Sequence, residues 1–114
     1  MNKDSALKDI DQFTGTEQWY CHRFGLLYTD GVRYVANHGA YWLIDAIASH
    51  QPTVQDEPIQ FWKLTVQPDC SAVLLCERDT NEPLLSQEID YTDFPVPEIR
   101  FYLADGVLML PTEY

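Results

Sequence analysis

Three cysteines, at 21, 70 and 76, and three histidines, at 22, 38 and 50, are the side chains of this sequence best suited to covalent or metal chemistry. A nucleophile needs a base beside it and an acid to orient that base. Cys21 next to His22, with His38, Asp30 and Asp45 further along, is the nearest approach to such a set. Neighbours on a strand point to opposite faces, so Cys21 and His22 would not pair directly there. No Ser sits in a glycine-flanked nucleophile turn. Cys70 and Cys76 are spaced more widely than the cysteines of a zinc knuckle, and His22, His38 and His50 lack the i, i+4 spacing of a helical zinc site. No metal and no cofactor is expected. Packed thiols and surface imidazoles fit these residues better than a triad or a metal centre.

Carboxylates are the other chemical resource. Glu88 and Asp90 fall two apart on one strand face, about 6.6 Å at ~3.3 Å per residue, a spacing open to acid–base pairs. On a solvated face their acidity stays ordinary, which favours a surface role. Glu77, Asp79, Glu82, Glu88, Asp90, Asp93 and Glu98 could line one face or edge of a sheet. Such a row would attract a basic partner or imitate the phosphates of a nucleic acid; the plainer role is solubility and protection of sheet edges. A second candidate is a pocket built from Trp19, His22, Tyr41, Trp42 and Asp45. The aromatic series Trp19, Tyr20, Phe24, Tyr28, Tyr34, Tyr41 and Trp42 has no interleaved Lys or Arg run, so it reads as core rather than a base-stacking platform.

Composition limits the partners. Eighteen acids oppose seven Lys and Arg, a net charge of −11 over 114 residues. Residues 1–57 hold eight acids and four bases, and residues 58–114 hold ten and three. Direct binding to phosphate backbones or to an anionic membrane is disfavoured, because both rely on basic side chains. A basic protein partner fits the field. No apolar run is long enough for a membrane span or opens the chain as a signal peptide, and the odd cysteine count suits a reducing cytoplasm.

These side chains need elements to position them. The length fits one domain, 1–114, helix-rich over 1–51 and strand-rich over 59–110. Apolar spacing predicts a helix over 5–13, a short aromatic hairpin within 17–28, and a brief helix capped by Thr29 or Asp30 and ended by His38-Gly39. A second helix runs from Ala40 to about His50 on the stripe Ala40, Leu43, Ile44, Ile47 and Ala48, and Pro52 stops it. The period then changes to two. Trp62, Leu64 and Val66 alternate with Lys63, Thr65 and Gln67, and Ala72 to Cys76 is a nearly continuous apolar run of central-strand type. Leu85, Ile89 and Tyr91 alternate with Ser86, Glu88 and Asp90. Ile99, Phe101 and Leu103 share a face, and Ala104-Asp105-Gly106 turns into Val107–Leu110. Short turns imply antiparallel pairing. The expected class is α+β: N-terminal short helices packed on a C-terminal antiparallel meander of about four to five strands.

The phrases Phe13-Thr14-Gly15-Thr16-Glu17 with Trp19-Tyr20, Tyr28-Thr29-Asp30-Gly31-Val32, Gly39-Ala40-Tyr41-Trp42-Leu43-Ile44-Asp45, Trp62-Lys63-Leu64, Thr92-Asp93-Phe94-Pro95 and Asp105-Gly106-Val107-Leu108-Met109-Leu110-Pro111 run through nearly the whole chain. Together they resemble a family of small bacterial proteins classed as a domain of unknown function, with chromosomal, plasmid and phage members. The resemblance implies one domain and brings no activity or catalytic residue with it. The leading expectation is a non-enzymatic acidic accessory domain that binds another protein. The alternatives are a small enzyme or ligand-binding domain with the aromatic pocket, and a nucleic-acid charge mimic from a mobile element.

Overall fold

The computed structural model describes residues 16, 18–22, 25–54, 56–79, 82–94 and 96–113. The helix expected over 5–13 lies outside them, as does Phe24 of the expected hairpin.

That hairpin forms from two very short strands, β1 (Tyr20–Cys21) and β2 (Leu27–Tyr28), which pair antiparallel. Thr29 then caps α1 (Asp30–Val35), its hydroxyl accepting from the Val32 N–H. Capping oxygens of this kind satisfy one of the donors a helix start leaves open. A wide turn, Ala36–Ala40, follows, and Gly39 breaks it with φ +96°. Only glycine takes that conformation without strain. The chain re-enters a helix as α2 (Tyr41–Ser49), which buries Leu43, Ile44, Ile47 and Ala48 along the expected stripe. Each of the three larger side chains gains roughly 1.5–3 kcal/mol from leaving water.

Pro52 does not stop the helical path. His50 closes α2, and Pro52 lies in the first turn of a further short helix, α3 (Gln51–Val54). A proline is tolerated there because first-turn N–H groups have no helical partner to lose.

Five longer strands follow: β3 (Ile59–Val66), β4 (Ala72–Asp79), β5 (Glu82–Ile89), β6 (Glu98–Ala104) and β7 (Val107–Met109). The sheet order is β1-β2-β7-β6-β3-β4-β5, so the described sheet has seven strands rather than four to five. The two extra strands are those of the expected hairpin, which joins the sheet through the β2–β7 pairing. β2 pairs parallel to β7, the one parallel contact in the described sheet. The helices and intervening strands supply the long connection that parallel pairing requires.

Nor is the second half a simple meander. β6 returns beside β3 rather than β5, which gives the Greek-key order β6-β3-β4-β5. The 90–97 connection makes this possible by crossing the strand ends. Thr92 N–H donates to Cys70 O at 2.8 Å, Val66 N–H donates to Pro97 O at 2.7 Å, and Phe94 is buried.

The sheet has one covered face. Trp62 and Leu64 of β3, Ala72, Leu74 and Cys76 of β4, Ile99, Phe101 and Leu103 of β6, and Leu108 of β7 meet the apolar sides of α1 and α2 in one core. The run 72–76 is therefore not buried on both faces. Ala72, Leu74 and Cys76 point inward, while Val73 is exposed and Leu75 half-buried. Gln60 is the polar member of the covered face. The two hydrogens of its amide nitrogen are shared among Gln51 Oε1, Val54 O and Glu57 O, and its oxygen accepts from Gln51 Nε2 and Trp62 Nε1. A buried amide with all its groups bonded costs little and fixes α3 against the sheet.

Candidate functional site

Two surfaces bring the sequence-predicted residues together. The first lies where the β1–β2 hairpin meets the helices. His22 Nε2 donates to Asp45 Oδ1 at 2.5 Å, joining the hairpin to α2. The His22 side chain is 10% exposed and that of Asp45 50% exposed, so the pair sits at the rim of the surface. Tyr41 lies one helical turn before Asp45, half exposed, with its hydroxyl donating to Asn37 Oδ1 at 2.8 Å. Trp19 is 58% exposed, whereas Trp42 packs partly buried against the core. His22 and Asp45 are thus in contact, Tyr41 lies one turn along the same helix, and Trp42 packs against the core.

Sequence reasoning missed the cation in this surface. Arg33 Nη1 donates to the Tyr20 hydroxyl at 2.9 Å, and the guanidinium lies 4.5 Å from the Tyr20 ring centre. Tyr20 in turn donates to Asp30 Oδ1 at 3.0 Å and stacks on Tyr28 with centroids 5.5 Å apart. The hydrogen bond with Tyr20 raises the pKa of Arg33 above its ordinary value. Burial, then the neighbouring Tyr41 phenol, raises that of Tyr28. Arg33 is three residues after Asp30 at the exposed side of α1, a spacing that gives no hint of a tyrosine partner from another element. Cys21 is exposed, with Sγ directed to the His22 carbonyl oxygen at 3.4 Å.

The second surface is the other face of the sheet. Cross-strand partners share a face. Phe61 lies between Glu77 and Tyr102, Lys63 between Leu75 and Arg100, and Thr65 between Val73 and Glu98, with Glu88 beyond Val73. The Phe61 and Tyr102 rings meet edge to face, centroids 5.0 Å apart. A depression of about 150 Å³ opens here, lined by Phe61, Lys63, Glu77, Asp79, Arg100 and Tyr102. Arg100 Nε donates to Glu98 Oε2 at 3.1 Å.

Of the candidate acidic residues, Glu77, Glu88 and Glu98 share this open face. Asp79 ends β4, and Asp90 and Asp93 lie on the exposed connection after β5. Glu88 and Asp90 line one shallow groove with Val73 and Ile89. The face is thus mixed: aromatic and aliphatic at its centre, two cations among them, carboxylates around them. Phe61, Arg100 and Tyr102 were legible in principle. They occupy the positions that alternate with the buried Gln60, Trp62, Phe101 and Leu103.

Among the described residues, no group of three or more His, Cys, Asp or Glu is arranged to hold a metal ion. Likewise no described helix is long and apolar enough to cross a membrane. The model of a family of unknown function (DUF6876) matches residues 4–114. No curated protein and no solved structure matches the chain.

Proposed function

The chain belongs to this family of unknown function, and from its own surface we propose that it is an accessory domain that binds a basic protein through the open face of its sheet. One observation carries the reading. Phe61 packs on Tyr102, and Leu75 and Val73 lie beyond Lys63 and Thr65 on the same face, which no described helix covers and which also carries Glu77, Glu88 and Glu98. Apolar centres with polar rims are the usual anatomy of protein contacts. The charge of −11 steers basic surfaces toward this domain and repels acidic ones.

The test is affinity capture from the native host at low salt, comparing the wild-type chain with Val73→Lys/Glu88→Lys. Both positions are exposed, so the cost to the fold stays small even though the two lysines face each other across β4 and β5. The expected result is a specific basic protein retained by the wild type, lost by the variant and released by salt. Identical recovery by both chains, or none by either, would count against the reading.

A second reading has its own observation, the His22–Asp45 contact beside Arg33, Tyr20 and Tyr41. The Arg33 guanidinium, which has N–H donors beyond the one given to Tyr20, is the group at this rim that would take a small anionic ligand. Thermal-shift screening against anionic metabolites, with Arg33→Met as control, tests it. A stabilising compound that acts equally on the control variant would not be using this site.

A further inference from the structure

The described sheet ends on β5, which among the described residues pairs with β4 alone. From Leu85 to Ile89 the pairing is regular, one residue against one, opposite Cys76 back to Ala72; the register shifts are confined to the Cys76–Asp79 end. An edge strand presents a row of backbone N–H and C=O groups on its outer side. Eight residues at ~3.4 Å each make that row about 27 Å long. Leu85, Gln87 and Ile89 turn toward the helices, and Ser86 and Glu88 toward the open face, by their pairing with buried and exposed positions of β4.

The side chains select what can pair there. The strand Glu82–Ile89 contains two carboxylates, one proline and no Lys or Arg. Glu82, Pro83, Ser86 and Glu88 are all exposed. Like charges facing across a new strand pair are unfavourable and opposite charges favourable. A second copy of this chain would bring the same carboxylates to the edge and be repelled. A strand carrying Lys or Arg would be attracted. The acids favour a cationic segment over a second copy of this acidic chain, and Pro83, which lacks an N–H, leaves the stretch after it for main-chain pairing.

We propose that β5 accepts an extended, basic segment of a partner protein as an eighth strand. Its main chain would bond along Leu84–Glu88, and its cations would meet Glu88 and Glu82. This deepens the partner-binding reading above and rests on it: the open face would contact the body of the partner, and the edge would fix its orientation. Backbone pairing supplies affinity in such strand addition, and alternate side chains supply specificity.

The probe is a peptide of about ten residues alternating valine and lysine, long enough to span β5. Its control is the same sequence with alternate backbone nitrogens methylated, which keeps the charge and removes the donors. The expected result is binding to the full chain at low salt, with slowed amide hydrogen exchange at residues 84–88. The control should bind at least about tenfold more weakly, the effect of losing two or more hydrogen bonds. Equal binding of the two peptides overturns strand addition; if Val73→Lys/Glu88→Lys also weakens both, the open-face reading stands without it. No binding of either peptide at low salt overturns the inference, whatever host capture gives. Protection at residues 84–88 that instead rises with protein concentration, without peptide, would assign the edge to a second copy.

Discussion

Single residues hold the ends of this fold together. Glu113, near the end of the chain, closes the start of α1. Its carboxylate accepts from the Gly31 N–H at 3.2 Å, the Leu110 N–H at 3.0 Å and the Thr29 hydroxyl at 2.6 Å. A negative group suits the positive end of a helix. A β-carbon at Gly31 would stand 2.5 Å from Glu113 Oε1 and 2.7 Å from Leu110 Cδ1, so both side chains would have to shift, and the shift of Glu113 would break its bonds to the helix start. On helix propensity alone, Gly31→Ala would stabilise by up to about 1 kcal/mol. The crowding reverses the sign, and a loss of about 1–3 kcal/mol is expected in urea unfolding; a gain would disprove the close approach. Cys76 makes a second residue-scale prediction. Burial, then Glu57 and Glu77, pushes its thiol up to about 12 from an ordinary 9.0. Above pH 9 the unfolded chain releases this proton while the folded chain keeps it. Stability from this group is therefore whole below pH 9 and falls as pH rises, by at most about 1.4 kcal/mol per unit. Unfolding measured from pH 8 to 10 should show a shallower decline in Cys76→Ala than in the wild type; parallel profiles would refute it. The odd cysteine count pointed to packed thiols in the sequence, and Cys76 is one. The exposed Cys21 is not, because β1 is too short and peripheral to bury both its faces.

At the scale of elements, turn geometry carries the β3–β4 hairpin. Cys70 adopts φ +70° in the 67–71 turn, and the Asp69 carboxylate accepts from the Ser71 hydroxyl at 2.6 Å and its N–H at 3.0 Å. Those two bonds, the hydroxyl first, lower the pKa of Asp69. A non-glycine residue in the left-handed region costs of order 1–3 kcal/mol, and Asn tolerates it best after Gly. Cys70→Asn should therefore raise stability by about 0.5–1 kcal/mol in thermal or urea unfolding; a loss would mean the thiol makes contacts that outweigh the strain. Period-two and period-3.6 patterns disclosed α2, the turn at Asp105-Gly106 and the inward faces of β3 and β6, but not that of β4, whose apolar run hid its alternation. They left two errors. Pro52 read as a stop because proline usually ends a helix, yet a helix can restart on one. The antiparallel meander failed because alternation says which way a side chain points and nothing about which strand lies alongside.

Across the whole molecule, net charge sets the long-range behaviour. A net −11 spread over a body with a radius of gyration of 13.4 Å repels itself. Salt screens such repulsion with a reach of roughly 10 Å at 0.1 M. Raising sodium chloride from low concentration should therefore raise the melting temperature by a few degrees, since about 1 kcal/mol shifts a domain of this size by ~4–8 °C. A melting temperature that falls with salt would show that local ion pairs, such as Arg78–Glu57 at 2.8 Å, outweigh the net repulsion. The same charge underlies the proposal of a basic partner. The amino-acid sequence by itself determined the acidity, the α+β class, the helical stripe of α2 and the inward faces of β3 and β6, because these depend on composition and on neighbours a few positions away. Tertiary structure alone decided that β6 lies beside β3, that β2 runs parallel to β7, that Asp45 meets His22 and that Glu113 reaches Gly31. Each joins residues between 23 and 82 positions apart or sets the order of strands. Such contacts depend on how whole elements pack, and no local period encodes them.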